Sequence, residues 1–246
     1  MKFLVLLIAL ITIQATHAQD VAVAIGDYAP YIDKTLANKG FLSEIVVKAF
    51  KKEGVDAVLE FKPWKRIEAT EISENKRVSF GWIKTQERST RWLYSDVIMN
   101  TTTVFITAKE KGFKWSTLED LKPFKIGVSR GYSYGNEFDA MRAQFKIQEA
   151  ASDEQNIKKL VNGRIDIFPV DPFVGAGIIR DKLSKSDAAK LKMVKEPNLG
   201  EDGMHAVCSK KYVLCEGLLN KFNTGLGKMK SDGSLQSIIN KATALK

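Results

Sequence analysis

Short apolar runs alternate with amphipathic stretches along most of the chain. VAVAI (21–25) reads as a buried strand, and FLSEIVVKAFKKEG (41–54) spaces its apolar residues as a helix that Gly54 stops. AVLEF (57–61) is a second strand, Pro63 opens a helix over PWKRIEATEIS, and RVSFGWI (77–83) is a third strand. This β-α-β-α-β order predicts an α/β fold with a largely parallel sheet. TTTVFITAK (101–109) follows as an extended, β-branched crossing segment.

A second α/β set comes next. STLEDL (116–121) has capping-box spacing from Ser116 to Glu119, and KIGVSRG (125–131) reads as a strand and a glycine turn. SYGNEFDAMRAQF and SDEQNIKKLVNG read as helices on either side of KIQEA, with Gly163 ending the second, and RIDIFPV as a strand. A strand around HAVCS (205–209) precedes two helical stretches, CEGLLNKFNTGLGKMKSDG and SLQSIINKATALK. Two α/β sets joined by an extended segment predict two lobes, one of residues 19–107 plus 204–246 and one of 108–203. Ligands of open α/β sheets sit at the carboxyl ends of strands, and clefts between domains are favoured sites. Those rules single out Tyr28, Trp64 and residues 81–88, 129–133 and 170–173.

Upstream of the first strand, Lys2 is followed by an apolar run (3–13) and then Thr16-His17-Ala18. A short positive segment, a modest apolar run and small residues before the junction describe a cleaved secretory signal, residues 1–18. The run is shorter than the roughly 20 apolar residues of a membrane helix. Cleavage would leave 246 − 18 = 228 residues, room for one large domain or two small ones. Without Lys2 the net charge is 37 − 29 = +8. The basic residues are scattered among acids, so no nucleic-acid partner is expected. In an exported chain, Cys208 and Cys215 read as a disulfide ahead of a metal site, since a metal would need further ligands and the mature chain holds one histidine, His205. H-E-x-x-H and a glycine-rich phosphate loop followed by Lys are both missing, and no cofactor or metal is expected.

DYAPYI, GFLSEIVVKAF, PWKRIEA, GWIKTQERSTRWLYSD, STLEDLKPFKIGVSRGYSYG and NGRIDIFPVD occur in an order that resembles the periplasmic solute-binding proteins of the polar amino acid type, receptors of ABC importers. The most specific piece is T-x-E-R followed by an aromatic and S-D, between Thr85 and Asp96. Next is G-R-x-D with an acid five residues further on, Asp166 and then Asp171. The resemblance implies a type II periplasmic binding protein-like fold, two α/β lobes joined by two hinge crossings around a cleft. It implies a monomeric periplasmic receptor that passes a small amino acid-like ligand to an inner-membrane ABC transporter permease.

The resemblance also implies roles for single residues. Arg88 would take the ligand carboxylate through two parallel charge-assisted bonds. Asp171, from the other lobe, and the Gly81 carbonyl would take the ammonium. N–H groups near Ile83 and Ser133 would complete the anion's shell, the latter in a glycine turn that opens a helix. Tyr28 and Trp64 would flank the ligand's side chain. The chain departs from the family where Ser or Thr often stands at Ile83 and Thr at Tyr132; Trp82 and Tyr132 would instead narrow the pocket or stack.

Two of these residues also fit plainer roles. Arg88 could form a surface ion pair with Glu87 or Asp96, and Asp171, ahead of Pro172, could cap a helix. Asp166 reads as structural, Arg66 as part of a solvated helix face and His205 as a packed residue. A few proteins on this fold resemble cyclohexadienyl dehydratases and others serve as sensors. A dehydratase would need an acid-base group at the cleft.

Overall fold

The computed structural model describes residues 19–74 and 77–244; the secretory signal expected over residues 1–18 lies outside the described residues. Strand β1 (Gln19–Ile25) pairs in parallel with β2 (Val55–Phe61). On its other side, a parallel bridge from Val23 to Val78 joins it to the start of β3 (Ser79–Ile83). Between β1 and β2, α1 (Phe41–Lys51) buries Leu42, Ile45, Val46, Ala49 and Phe50, the stripe its spacing predicts. After β2 the chain makes one helical turn, α2 (Trp64–Arg66), which widens into a π-helix over Ile67–Glu71. Helix α3 (Gln86–Arg91) and strand β4 (Trp92–Tyr94) follow β3.

Two ten-residue strands link the halves of the molecule, β5 (Met99–Ala108) and β10 (Gly200–Ser209). They run antiparallel, with Met99 opposite Met204 and Thr103 opposite Gly200. Beyond that shared stretch they part. β10 goes on to pair with β3 and β4. β5 goes on to pair with β8 (Ile167–Val170) and β9 (Leu191–Val194). Strand β6 (Lys125–Ser129) lies parallel to β7 (Lys146–Ala150) and β8. Helices α4 (Asn136–Met141), α5 (Asp153–Val161), α6 (Pro172–Lys182) and α7 (Lys185–Lys190) surround this half. The chain then returns, and α8 (Cys215–Ser231) and α9 (Ser234–Ala244) pack on α1. At Gly225 α8 and α1 nearly touch: a Cβ there would lie 1.9 Å from the Ala49 carbonyl oxygen. The Cys208–Cys215 disulfide ties the end of β10 to the start of α8, with Cα atoms 5.7 Å apart. No helix among the described residues is long and apolar enough to cross a membrane.

Three local expectations change. The sheet is mixed rather than largely parallel, because every pair made by β5 or β10 is antiparallel. The alternation within one strand carries no direction, and only its partner supplies one. The capping interaction sits one residue later than the Ser116–Glu119 spacing: Asp120 accepts the N–H groups of Ser116 and Thr117 at 2.9 Å, ahead of a 3-10 turn over Leu118–Leu121. The helix expected to open at Ser133 begins at Asn136.

Candidate functional site

The strand ends β1, β3, β6 and β8, with the turns after them, converge on a cleft crossed by β5 and β10. All nine sequence-predicted site residues line it: Tyr28, Trp64, Gly81, Trp82, Ile83, Arg88, Tyr132, Ser133 and Asp171.

Arg88 is turned inward by its own helix. Thr85 Oγ1 accepts the Arg88 N–H at 3.1 Å and caps α3, which puts the side chain under β3 and β4 rather than in solvent. Arg88 is only 6% exposed. Its guanidinium lies 4.8 Å from the Trp82 ring centre and 5.7 Å from that of Trp92. Nε donates to Glu68 at 3.2 Å, and a terminal nitrogen donates to the Gly131 carbonyl at 3.1 Å. A surface pair with Glu87 is not formed; Glu87 pairs with the exposed Arg91 at 3.0 Å.

Asp171 is both a cap and a cleft residue. Its Oδ1 accepts the N–H groups of Phe173 and Val174 at 2.8 and 3.2 Å, and Pro172 occupies the first turn of α6 as expected. Its Oδ2 accepts Tyr31 Oη at 2.9 Å and also Thr101 Oγ1. Burial raises its carboxyl pKa, and these four donors offset only part of that rise.

The aromatic wall depends on glycines at two points. A Cβ on Gly26 would stand 2.5 Å from the Trp64 ring, and Gly81 has φ +83°, which also leaves Trp64 its room. Trp64 donates its indole N–H to the Asp27 carbonyl at 3.0 Å and meets Trp82 edge-on at 5.1 Å. Tyr28 stacks on Tyr31 at 5.3 Å and meets Tyr132, from the other half, edge-on at 5.9 Å. Ser133 donates its hydroxyl to Asp139, while Arg142 donates to the Tyr132 carbonyl at 3.0 Å, so a side-chain network shapes this turn. The remaining expectations concern residues outside the cleft wall. Asp166 accepts the Lys125 N–H at 2.8 Å and pairs with Lys111, Arg66 is exposed, and His205 bonds the Ser95 carbonyl at 2.7 Å.

Sequence reasoning missed Asp153, Tyr31 and Thr101, and it singled out Gly131 within 129–133 without its carbonyl's bond to Arg88. Asp153 is the first residue of α5, just beyond Ser152, which caps the helix by accepting the Gln155 N–H. It is 7% exposed, lines the cleft and accepts the Ser129 hydroxyl. Burial pushes its carboxyl up to about 6, with the Ser129 bond opposing and Asp171 adding to the rise. A signal was present: Asp153 and Asn156 extend the apolar stripe of Ile157 and Leu160 backwards at helical spacing, and the loop after β7 is another strand end. Residues 127–131 also spell G-x-S-x-G, the sequence of a nucleophile elbow. Among the described residues Ser129 has no imidazole partner: its hydroxyl serves Asp153, and His205 is held by Ser95.

With that geometry, the fold can be compared with solved structures. The chain is similar to an ABC uptake transporter substrate-binding protein from Streptococcus pneumoniae with bound histidine, at 19% identity and TM-score 0.74, over 90% of this chain and 91% of that one. It is equally similar in shape to a histidine kinase sensor domain resembling periplasmic binding proteins, at 18% identity and TM-score 0.74, over 91% of this chain and 96% of that one. The fold is therefore the two-lobed α/β architecture of periplasmic binding proteins, with the cleft between its lobes. A curated relative, the arginine-binding periplasmic protein of Mannheimia haemolytica, is 22% identical over 230 residues, covering 92% of this chain and 91% of that protein. Residues 21–244 match the model of the bacterial extracellular solute-binding proteins, family 3, and the chain belongs to that family.

Proposed function

We propose that this protein is a periplasmic receptor that captures an amino acid, or a closely related carboxylate, between its lobes and delivers it to an inner-membrane ABC importer. The observation that carries this reading is Arg88, a buried guanidinium packed against two tryptophans in the cleft that also contains the buried carboxyl of Asp171. A ligand carboxylate would replace the Gly131 carbonyl on Arg88, a charged acceptor in place of a neutral one. Asp171 and the Gly81 carbonyl would take the ammonium, and N–H groups near Ile83 and Ser133 would add to the anion's shell. Hydrogen bonds to charged groups contribute about 1.5–3 kcal/mol each. A few of them reach the roughly −8 kcal/mol of a micromolar dissociation constant. Tyr28 and Trp64 would flank the ligand's body, with Trp82 and Tyr132 narrowing the space around it.

In this reading the lobes are residues 19–107 with 204–246, and 108–203, and the chain crosses between them in β5 and β10. A ligand bridging Arg88 and Asp171 would favour the closed form by its preference for that form. Removal of residues 1–18 would release the receptor as a monomer in the periplasm, where it binds without catalysing a reaction.

The test is a thermal-shift screen of the natural amino acids on the wild type, Arg88→Met and Arg88→Lys. Methionine keeps a long stem against Trp82 and Trp92 but loses the charge; lysine keeps the charge but loses the planar fork. A ligand that stabilises the wild type should not stabilise Arg88→Met and should stabilise Arg88→Lys weakly. Undiminished stabilisation of a folded Arg88→Met would refute the assignment. One observation favours a dehydratase-like alternative, namely two cleft carboxyls with raised pKa, Asp153 and Asp171. Turnover of prephenate or arogenate by the wild type, lost in Asp171→Asn, would replace the binding reading.

A further inference from the structure

The charges of the cleft do not balance. Arg88, its one guanidinium, already has a carboxylate partner in Glu68 at 3.2 Å. Two further acids, Asp153 and Asp171, line the cleft at 7% and 4% exposure. Among the described residues, no cationic side chain lies within ion-pair distance of either. The partners of Asp171 are all neutral: two backbone N–H groups, the Tyr31 phenol and the Thr101 hydroxyl. Asp153 receives the Ser129 hydroxyl on one oxygen and lines the same cleft as Tyr28, Tyr132 and Tyr134, whose phenol pKa values are raised first by burial and further by its charge. A zwitterion with a neutral side chain would supply one ammonium for Asp171 and one carboxylate for Arg88. Asp153 would then remain a buried acid without a counter-charge, an arrangement proteins avoid unless a partner is supplied.

We infer that the ligand carries a second cation, an ammonium or guanidinium at the end of its side chain, and that Asp153 receives it. The inference rests on the amino acid reading of Arg88 and Asp171 above and extends it to ligand class. The lining of the cleft suits such a side chain. Tyr28, Trp64 and Tyr132 present aromatic surface to an apolar stem, and aromatic faces attract a cation in transit to an acid. Asp153 is preset rather than mobile: the Ser129 bond and its place in the first turn of a capped α5 fix it beside β6. The same acids disfavour a ligand with an acidic side chain, so the site selects by repulsion as well as attraction.

Calorimetric titration of the full chain with two matched pairs tests this: L-arginine against L-citrulline, and L-lysine against L-norleucine. Each pair has closely similar stems and differs in side-chain charge. The wild type should bind one cationic member about 100-fold more tightly than its neutral partner, and Asp153→Asn should cut that ratio to about tenfold or less while sparing the neutral ligand. A purely structural Asp153 would not move a second readout. A cation beside Asp153 favours its ionised form, so binding near about pH 6 should release more of a proton in the wild type than in Asp153→Asn, where Asp171 alone contributes. Equal affinity for charged and neutral members, with binding still dependent on Arg88, overturns the inference and leaves the amino acid reading standing. Unchanged discrimination in Asp153→Asn overturns the role of Asp153. Failure of every amino acid to bind overturns both.

Discussion

Replacing Asp153 by Asn should stabilise the protein, and the gain should depend on pH. In the folded chain its carboxyl titrates at about 6, against an ordinary value of 3.8. A tenfold change in proton affinity corresponds to about 1.4 kcal/mol, so keeping Asp153 ionised in the folded state costs about 3 kcal/mol. The direction follows from which state holds the proton. At a pH low enough to protonate both states there is no cost. As pH rises from the ordinary value toward about 6, the unfolded chain ionises first and stability falls; above that range the full cost persists. Asn removes the titration yet still offers an oxygen to the Ser129 hydroxyl. Asp153→Asn should therefore match the wild type near about pH 3.5 and exceed it near about pH 8 by up to about 3 kcal/mol. For a chain of this size that corresponds to roughly 6–12 °C in Tm. Thermal melts of both proteins across that range, compared as differences, cancel the titration of all other groups. A difference that stays flat with pH, or a less stable Asp153→Asn at the alkaline end, would contradict a buried, ionised Asp153. A rise that follows the predicted curve would mean that the cleft sacrifices stability to hold a charge ready for its ligand.

Two glycines in α8 offer a matched comparison. Gly225→Ala drives a methyl into the Ala49 carbonyl and should cost about 1–3 kcal/mol in urea denaturation. Gly227→Ala enters open space on the same helix and should be neutral or stabilise by up to about 1 kcal/mol, so similar effects at the two sites would contradict the packing described. Tyr31→Phe removes one donor from Asp171 and should raise that carboxyl's pKa further. Affinity for an amino acid ligand should then begin to fall at a higher pH than in the wild type as the solution is acidified; calorimetric pH profiles that coincide would show that Tyr31 does not tune Asp171.

Much of the cleft was legible because strand ends gather functional residues. The turns after VAVAI, RVSFGWI and RIDIFPV supplied Tyr28, Arg88 and Asp171, and T-x-E-R marked the second of these. The fate of each charge was not legible. Arg88 had acids one and eight residues away in sequence, yet its partners are Glu68 and the Gly131 carbonyl, brought from 20 and 43 residues away by the packing of α3 under the sheet. Asp153 looked like ordinary helix-start chemistry in SDEQ, and only the approach of Ser129 on β6 and the closeness of Asp171 made it a buried acid. Strand direction was hidden for a similar reason, since β5 and β10 take theirs from partners about 100 residues away. Most of the elements, their order and many of the positions where a ligand could be met were set by the sequence, because periodicity, capping and turn chemistry act over a few residues. Which charges are buried, which are paired and which wait unmatched in the cleft was settled by tertiary structure, because desolvation and Coulomb energy depend on neighbours that the chain brings together from far apart.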